Sequence, residues 1–150
     1  MQIAMIQDEL MPLAEVHQAY LDRAMFFGDG VYEVLRSYQG RIFALDEHMN
    51  RFANSLAAVE IEGISLDTIG ERVQRAFDQA GIPNAKIYFH ITRGNGIRNA
   101  QDISPMEPSF FLTIVELEDS TQEKQQGIAV CTHPDERWKN CHIKSLNLLP

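Results

Sequence analysis

The stretch VYEVLRSYQGRIFALDEHMNRFANSLAAVEI, residues 31–61, holds two hydrophobic periods in succession, and the change from one to the other decides the fold class. Residues 31–38 alternate with a period of two, with Tyr32, Val34, Arg36 and Tyr38 on one face and Val31, Glu33, Leu35 and Ser37 on the other. Neither face is wholly apolar, so two readings stand: a strand that lines a cavity, or a short edge strand. Gln39-Gly40 turns the chain into RIFAL, which completes a hairpin. From Asp46, a residue suited to capping a helix, the spacing changes to three and four. Met49, Phe52, Ala53, Leu56 and Val59 then form one apolar stripe.

The rest of the chain extends this pattern in both directions. A second helix is predicted after Ser65, with Leu66, Ile69, Val73, Phe77 and Ala80 on its buried side and Gly81 and Pro83 ending it. AKIYFHITRG and SFFLTIVEL read as strands joined by the long loop NGIRNAQDISPMEP, and GIAVCTHP reads as a further strand after the polar EDSTQEKQQ. Upstream, QIAMIQDELMPLAEV reads as a hairpin whose second strand carries Pro12 and so belongs at a sheet edge. Strands, then two adjacent helices, then strands again is not the alternation of a doubly wound parallel fold. It predicts an α+β architecture: a mostly antiparallel sheet with two helices packed on one face.

Composition narrows the class of partner. The 150 residues, of which 45% are hydrophobic and 23% charged, suit one ordinary globular domain. Thirteen Lys+Arg against 21 Asp+Glu give a net charge of -8, which argues against non-specific binding of nucleic acid or anionic membrane. A small molecule or a protein is the expected partner. Cys131 and Cys141 form no C-x-x-C pattern, no apolar run approaches the ~20 residues of a membrane span, and no secretory leader pattern opens the sequence. A cytoplasmic setting is expected.

Few residues nominate chemistry by themselves. The five histidines lack the spacing of a metal site, GDG at 28–30 and RGNG at 93–96 read as turns, and no G-x-S-x-G elbow is present. Lys144 differs, because it follows Ile143 and precedes SLNLL. A lysine desolvated by an apolar wall has its ammonium disfavoured and becomes available as a nucleophile, as Schiff-base lysines require. The alternative is a solvated or snorkelling side chain.

Three motifs then converge. FGDGVYEVLRSYQGRIFALDEHMNR, IYFHITRG and RWKNCHIKSLNLLP resemble, in order and spacing, the fold-type IV pyridoxal-phosphate enzymes, and in particular the D-amino-acid aminotransferase branch of class IV. The resemblance runs from residue 27 to 150. It implies pyridoxal 5'-phosphate as cofactor, Lys144 as the lysine that carries it and shuttles the substrate proton, and Arg51 as the arginine that binds its phosphate. Tyr32 falls on the tyrosine beside the cofactor, and Arg36 on a basic position of the same strand that meets substrate. Arg98 falls on the arginine that grips the substrate carboxylate from the neighbouring subunit, which implies a homodimer.

The resemblance also has limits that bear on substrate and completeness. A histidine two residues after that arginine belongs to the D-amino-acid enzymes, and Ala100 stands there instead. KSLN favours the D-amino-acid branch over the branched-chain aminotransferases, whose segment is glycine-rich, and over the aminodeoxychorismate lyases, which tend to carry KHLN. The family pattern implies a small N-terminal α+β domain at 1–133, an interdomain segment at 134–150 that carries the lysine, and a large C-terminal cofactor-binding domain absent from this chain. The expected reaction is transamination between an amino acid, the D form favoured, and a 2-oxo acid. The 150 residues alone are expected to bind the cofactor poorly and to transaminate negligibly, and a non-catalytic remnant is the competing reading.

Overall fold

The alternation read at residues 31–38 resolves into one buried and one open face. In the computed structural model, which describes residues 2–102 and 104–149, strand β3 (Gly30–Tyr38) buries Val31, Glu33, Leu35 and Ser37 and leaves Arg36 and Tyr38 exposed. It is preceded by the hairpin β1 (Ile3–Ile6) and β2 (Glu9–Pro12) and by a short helix, α1 (Arg23–Phe27). Gln39 and Gly40, both at positive φ of 52° and 77°, make the tight turn into β4 (Arg41–Ile42). The predicted strand RIFAL is thus only two residues long, because Ala44 adopts the left-handed conformation and starts the next helix.

That helix, α2 (Leu45–Ala58), begins at Ala44 rather than at the predicted cap Asp46, which lies in the first turn. There its charge complements the positive end of the helix dipole. Helix α3 (Leu66–Ala80) is capped as expected: the Ser65 hydroxyl accepts the Thr68 N–H, and Gly81 ends the helix at φ 64°. Strands β5 (Ala85–Thr92) and β6 (Ser109–Glu116) follow. The sheet order is β4-β3-β5-β6, antiparallel throughout, with Leu35 opposite Ile87 and Phe89 opposite Leu112.

Both helices cover the same face of this sheet. Phe52 and Leu56 of α2 and Ile69, Val73 and Phe77 of α3 pack on Val31, Leu35, Ile87, Phe89 and Ile91. At the centre the Phe52 and Phe89 rings meet edge to face at 5.0 Å, an arrangement aromatic pairs favour. The expected α+β fold, an antiparallel sheet with two helices on one face, is the fold of this chain.

Two readings of the chain beyond β6 are corrected. The polar EDSTQEKQQ contains a short helix, α4 (Thr121–Gln126), and the predicted strand GIAVCTHP is irregular, with Ile128 71% and Val130 81% exposed. β-branched residues favour a strand only where a neighbouring strand and a packed face receive them, and this segment has no ladder partner among the described residues. No helix among the described residues is long and apolar enough to cross a membrane.

Candidate active site

The edge of β3 is shared between two segments, and this places Lys144. β4 pairs with its C-terminal end, while residues 144–146 run antiparallel beside its N-terminal end. The Tyr32 N–H donates to the Lys144 carbonyl at 3.0 Å, and the Leu146 N–H donates to the Gly30 carbonyl at 2.9 Å. Glycine at 28 and 30 is what allows so close an approach. A Cβ on Gly30 would stand 2.6 Å from the Ile91 carbonyl oxygen and 2.7 Å from Leu146. One on Gly28, whose φ is 62°, would stand 2.7 Å from the Asn147 side chain. The GDG read from sequence as a turn is therefore also the bed on which the lysine segment lies.

Lys144 is half-buried, and its Nζ sits 4.0 Å from the centroid of the Tyr32 ring. An ammonium over an aromatic face is held by the ring quadrupole. The cleft around it, about 180 Å³, is also bounded by Trp138, Cys141, Ser145 and Asn147. Its wall is mixed rather than apolar, and Leu148 and Leu149 of the expected apolar flank are exposed. Asn147 completes the local frame by donating its side-chain N–H to the Phe27 carbonyl at 3.1 Å.

Arg51 lies on α2 and faces the helix side of β3. Its Nε donates to Glu33 Oε1 at 2.6 Å and one terminal nitrogen donates to Oε2 at 2.5 Å, a two-pronged grip on a carboxylate that is fully buried. His48, one turn earlier, places Nδ1 2.8 Å from the same carboxylate. Burial pushes the Glu33 carboxyl up, but the hydrogen bonds and charges of Arg51 and His48 together hold it below its ordinary range. The hydrogen bond to Glu33 in turn raises Arg51. The other terminal nitrogen, Nη1, makes no hydrogen bond among the described residues, and the Arg51 side chain is 50% exposed.

The open face of the sheet carries a chemistry of its own. Tyr32 and Tyr88 lie 5.8 Å apart, and the Tyr88 hydroxyl is 2.8 Å from His90 Nδ1. Arg36 stands directly across the ladder from Lys86, and Arg41 across from Tyr38. Like charges opposite one another destabilise a ladder, yet none of these three cations makes an ion pair among the described residues. In a chain of net charge -8 this is a locally positive surface.

Arg98 is not brought to the cleft. It is exposed, with its guanidinium 5.2 Å from the Phe27 ring centroid on the face of a loop that is anchored at its base. The anchor is Arg23, which is 6% exposed, pairs with Asp29 at 2.7 Å and donates to the Asn99 carbonyl at 3.0 Å. Arg93 pairs with the same Asp29 at 2.9 Å and caps the end of α2 through the Val59 and Glu60 carbonyls. Lys144 and Tyr32 thus come together in the cleft; Arg51 and Arg36 lie on opposite faces of β3 and do not line it, and Arg98 stands apart.

Sequence reasoning passed over Glu33. A carboxylate between Val31 and Leu35 on an inward face requires a partner, and His48 and Arg51, three apart on the following helix, were the signal that could have found it.

The comparisons with known proteins agree with this architecture. Residues 30–150 match the family model Amino-transferase class IV. A D-alanine aminotransferase of Staphylococcus epidermidis is 33% identical over 146 residues, 96% of this chain and 52% of the relative. That of Bacillus licheniformis is 35% identical over 141 residues, 93% of this chain and 50% of the relative. The chain spans about half the length of the curated relatives it matches. Among solved structures, a 4-amino-4-deoxychorismate lyase from Pseudomonas aeruginosa superposes with a TM-score of 0.65 at 22% identity over 78% of this chain and 42% of that one. A branched-chain aminotransferase from the archaeon Thermoproteus uzoniensis, with norvaline, gives 0.60 at 17% identity over 74% and 39%. At such identities the structural likeness speaks for the fold alone. With the family model matching most of the sequence and the lysine segment seated along β3, the chain belongs to the class IV amino-transferases.

Proposed function

We propose that this chain contributes Lys144, Arg51, Tyr32, Arg36 and Arg98 to a pyridoxal-phosphate-dependent transfer of an amino group from an amino acid, the D form favoured, to a 2-oxo acid. The single observation that carries the reading is the Lys144 amine held 4.0 Å over the Tyr32 ring, in a cleft built along the β3 edge. The residues fit the cofactor. An amine is available for its aldehyde, and Arg51, fixed in direction by Glu33, keeps Nη1 for a phosphate oxygen. When bound, pyridoxal phosphate supplies an electron sink that makes the α-proton of an amino acid removable.

The remaining roles belong to the chain. The Lys144 amine is the base that takes the proton from the Cα of the amino donor and, protonated, the acid that delivers a proton to the Cα of the acceptor, as a positioned general acid–base does. The Tyr32 ring bounds its travel. Arg36, with Lys86 and Arg41 beside it, draws the carboxylates of both substrates toward the open face. Arg98 lies outside the cleft of its own chain, which supports its action on a second copy in a homodimer. In this reading residues 1–133 form the small domain and 134–150 the segment that carries the lysine.

The test is pyruvate formation from D-alanine with a 2-oxo acid acceptor and added cofactor, beside L-alanine and beside the Lys144→Ala variant. The yield from these 150 residues alone is expected to be small; within it D-alanine is expected to exceed L-alanine, and the variant to be silent. Equal pyruvate from the variant would overturn the reading. Pyruvate from 4-amino-4-deoxychorismate without any acceptor would assign the protein to the lyases instead.

A further inference from the structure

The helix that carries Arg51 also touches the lysine's main chain directly, through a serine on its buried side. Ser55 lies on the inward side of α2 with Phe52 and Leu56, and is 1% exposed. Serine is a poorer helix former than alanine, because its hydroxyl competes for backbone groups, and a buried hydroxyl needs a partner. The one hydrogen bond its side chain makes among the described residues is to the lysine: Ser55 Oγ accepts the Lys144 N–H at 3.1 Å. On the other flank the Lys144 carbonyl accepts from Tyr32 at 3.0 Å, and Ile143 just before it packs against the core. The lysine's main chain is therefore gripped by the sheet through its carbonyl and by the helix through its amide. Arg51 stands four residues before Ser55, the spacing that puts two residues side by side on one face of a helix.

We propose that Ser55 is a positioning residue: by holding the Lys144 amide it fixes the lysine's Cα against α2, and so sets where Nζ stands relative to the Arg51 guanidinium. The proposal rests on the assignment of Lys144 and Arg51 to the cofactor made above. Sheet pairing alone leaves residues 144–146 free to pivot about the β3 edge, because it restrains only one side of the segment. The Ser55 hydroxyl closes the other side. Alanine would fill the same space in the core and remove only the acceptor, so the two consequences, a looser lysine and a misplaced amine, are separable from loss of packing.

Two measurements on the intact chain test this in Ser55→Ala and Ser55→Thr. The first is hydrogen exchange of individual amides by NMR. The second is reaction with pyridoxal phosphate followed by borohydride, with the label on Lys144 compared with that on Lys86 by mass spectrometry. In Ser55→Ala the Lys144 amide is expected to exchange on the order of 10-fold faster, about the worth of one net hydrogen bond. The Leu146 amide, bonded to Gly30, is expected to change far less. The Lys144 to Lys86 label ratio is expected to fall several-fold, since small displacements of a reacting group are costly. Ser55→Thr keeps the hydroxyl and is expected to restore both readings. Unchanged exchange at Lys144 in a folded Ser55→Ala overturns the proposal, as does faster exchange with an unchanged label ratio. If Ser55→Ala does not fold, Ser55→Cys carries the test, with intermediate effects expected and no effect overturning it. If Lys144 takes no more label than Lys86 in the unsubstituted protein, the cofactor assignment fails and the positioning role with it. The exchange data then still report whether the clamp exists, so the two failures are told apart.

Discussion

Glu33 and Arg51 define what a single residue does in this molecule. Glu33 is fully buried, and its carboxylate is held by Arg51 and His48. Arg51→Ala leaves that carboxylate with His48 alone, and we predict a loss of about 2–3 kcal/mol in urea denaturation, since an uncompensated buried charge is strongly destabilising and His48 offsets part of it. The pH dependence has a definite sign. The Glu33 carboxyl lies below its ordinary value of 4.5 in the folded protein, so near and below that pH the unfolded chain binds more protons than the folded one. The stability it contributes is full above ~4.5, the unfolded value, and is lost as the pH falls through the folded value. Between roughly pH 5 and 3 the unfolding free energy is predicted to fall more steeply for the natural chain than for Glu33→Gln; parallel slopes would remove Glu33 from the account. From sequence, Arg51 was legible only through resemblance, because a helix arginine is ordinarily solvated. Its burial partner sits 18 residues away and is joined to it by the fold, not by any local pattern.

At the scale of elements, the two helices and the three longest strands of the main sheet were legible because each carries its own hydrophobic period. The strand expected at GIAVCTHP was not, since its residue types describe a propensity and the missing ladder partner is a tertiary fact. Phe52 belongs to the legible part: with its ring against Phe89 at 5.0 Å and no solvent exposure, Phe52→Ala is predicted to cost about 3–5 kcal/mol by denaturant titration. Gly30 belongs to the other part. Its Cβ would meet the Ile91 carbonyl of β5 at 2.6 Å and Leu146 Cδ1 at 2.7 Å, so Gly30→Ala is predicted to disturb both neighbours of β3 and to speed exchange of the Leu146 amide together with the β3–β5 amides beside Gly30. An unchanged Leu146 amide would mean that the lysine segment is held by something other than this bed.

Across the whole molecule, the sheet separates two functions. One face, with Phe89 at its centre, builds the core under α2 and α3, and the other presents Tyr32, Tyr88, His90 and the cations Arg36, Arg41 and Lys86. The lysine segment lies along the edge between them, within reach of Tyr32 on the open face and of Ser55 on the helix side. The family's reaction was legible in the sequence because three motifs keep their order and spacing; the way Ser55, Glu33 and Gly30 hold those motifs together was not, because each acts through a contact between elements. The claim that carries the account is that Lys144 is the amine on which the cofactor is received. It is tested most directly by titrating pyridoxal phosphate into the protein and into Lys144→Ala while recording the visible absorption spectrum. For these 150 residues the account predicts a band that is weak and needs high cofactor concentration, but that saturates and is absent from the variant; the same band in Lys144→Ala, at the same cofactor concentration, would contradict it.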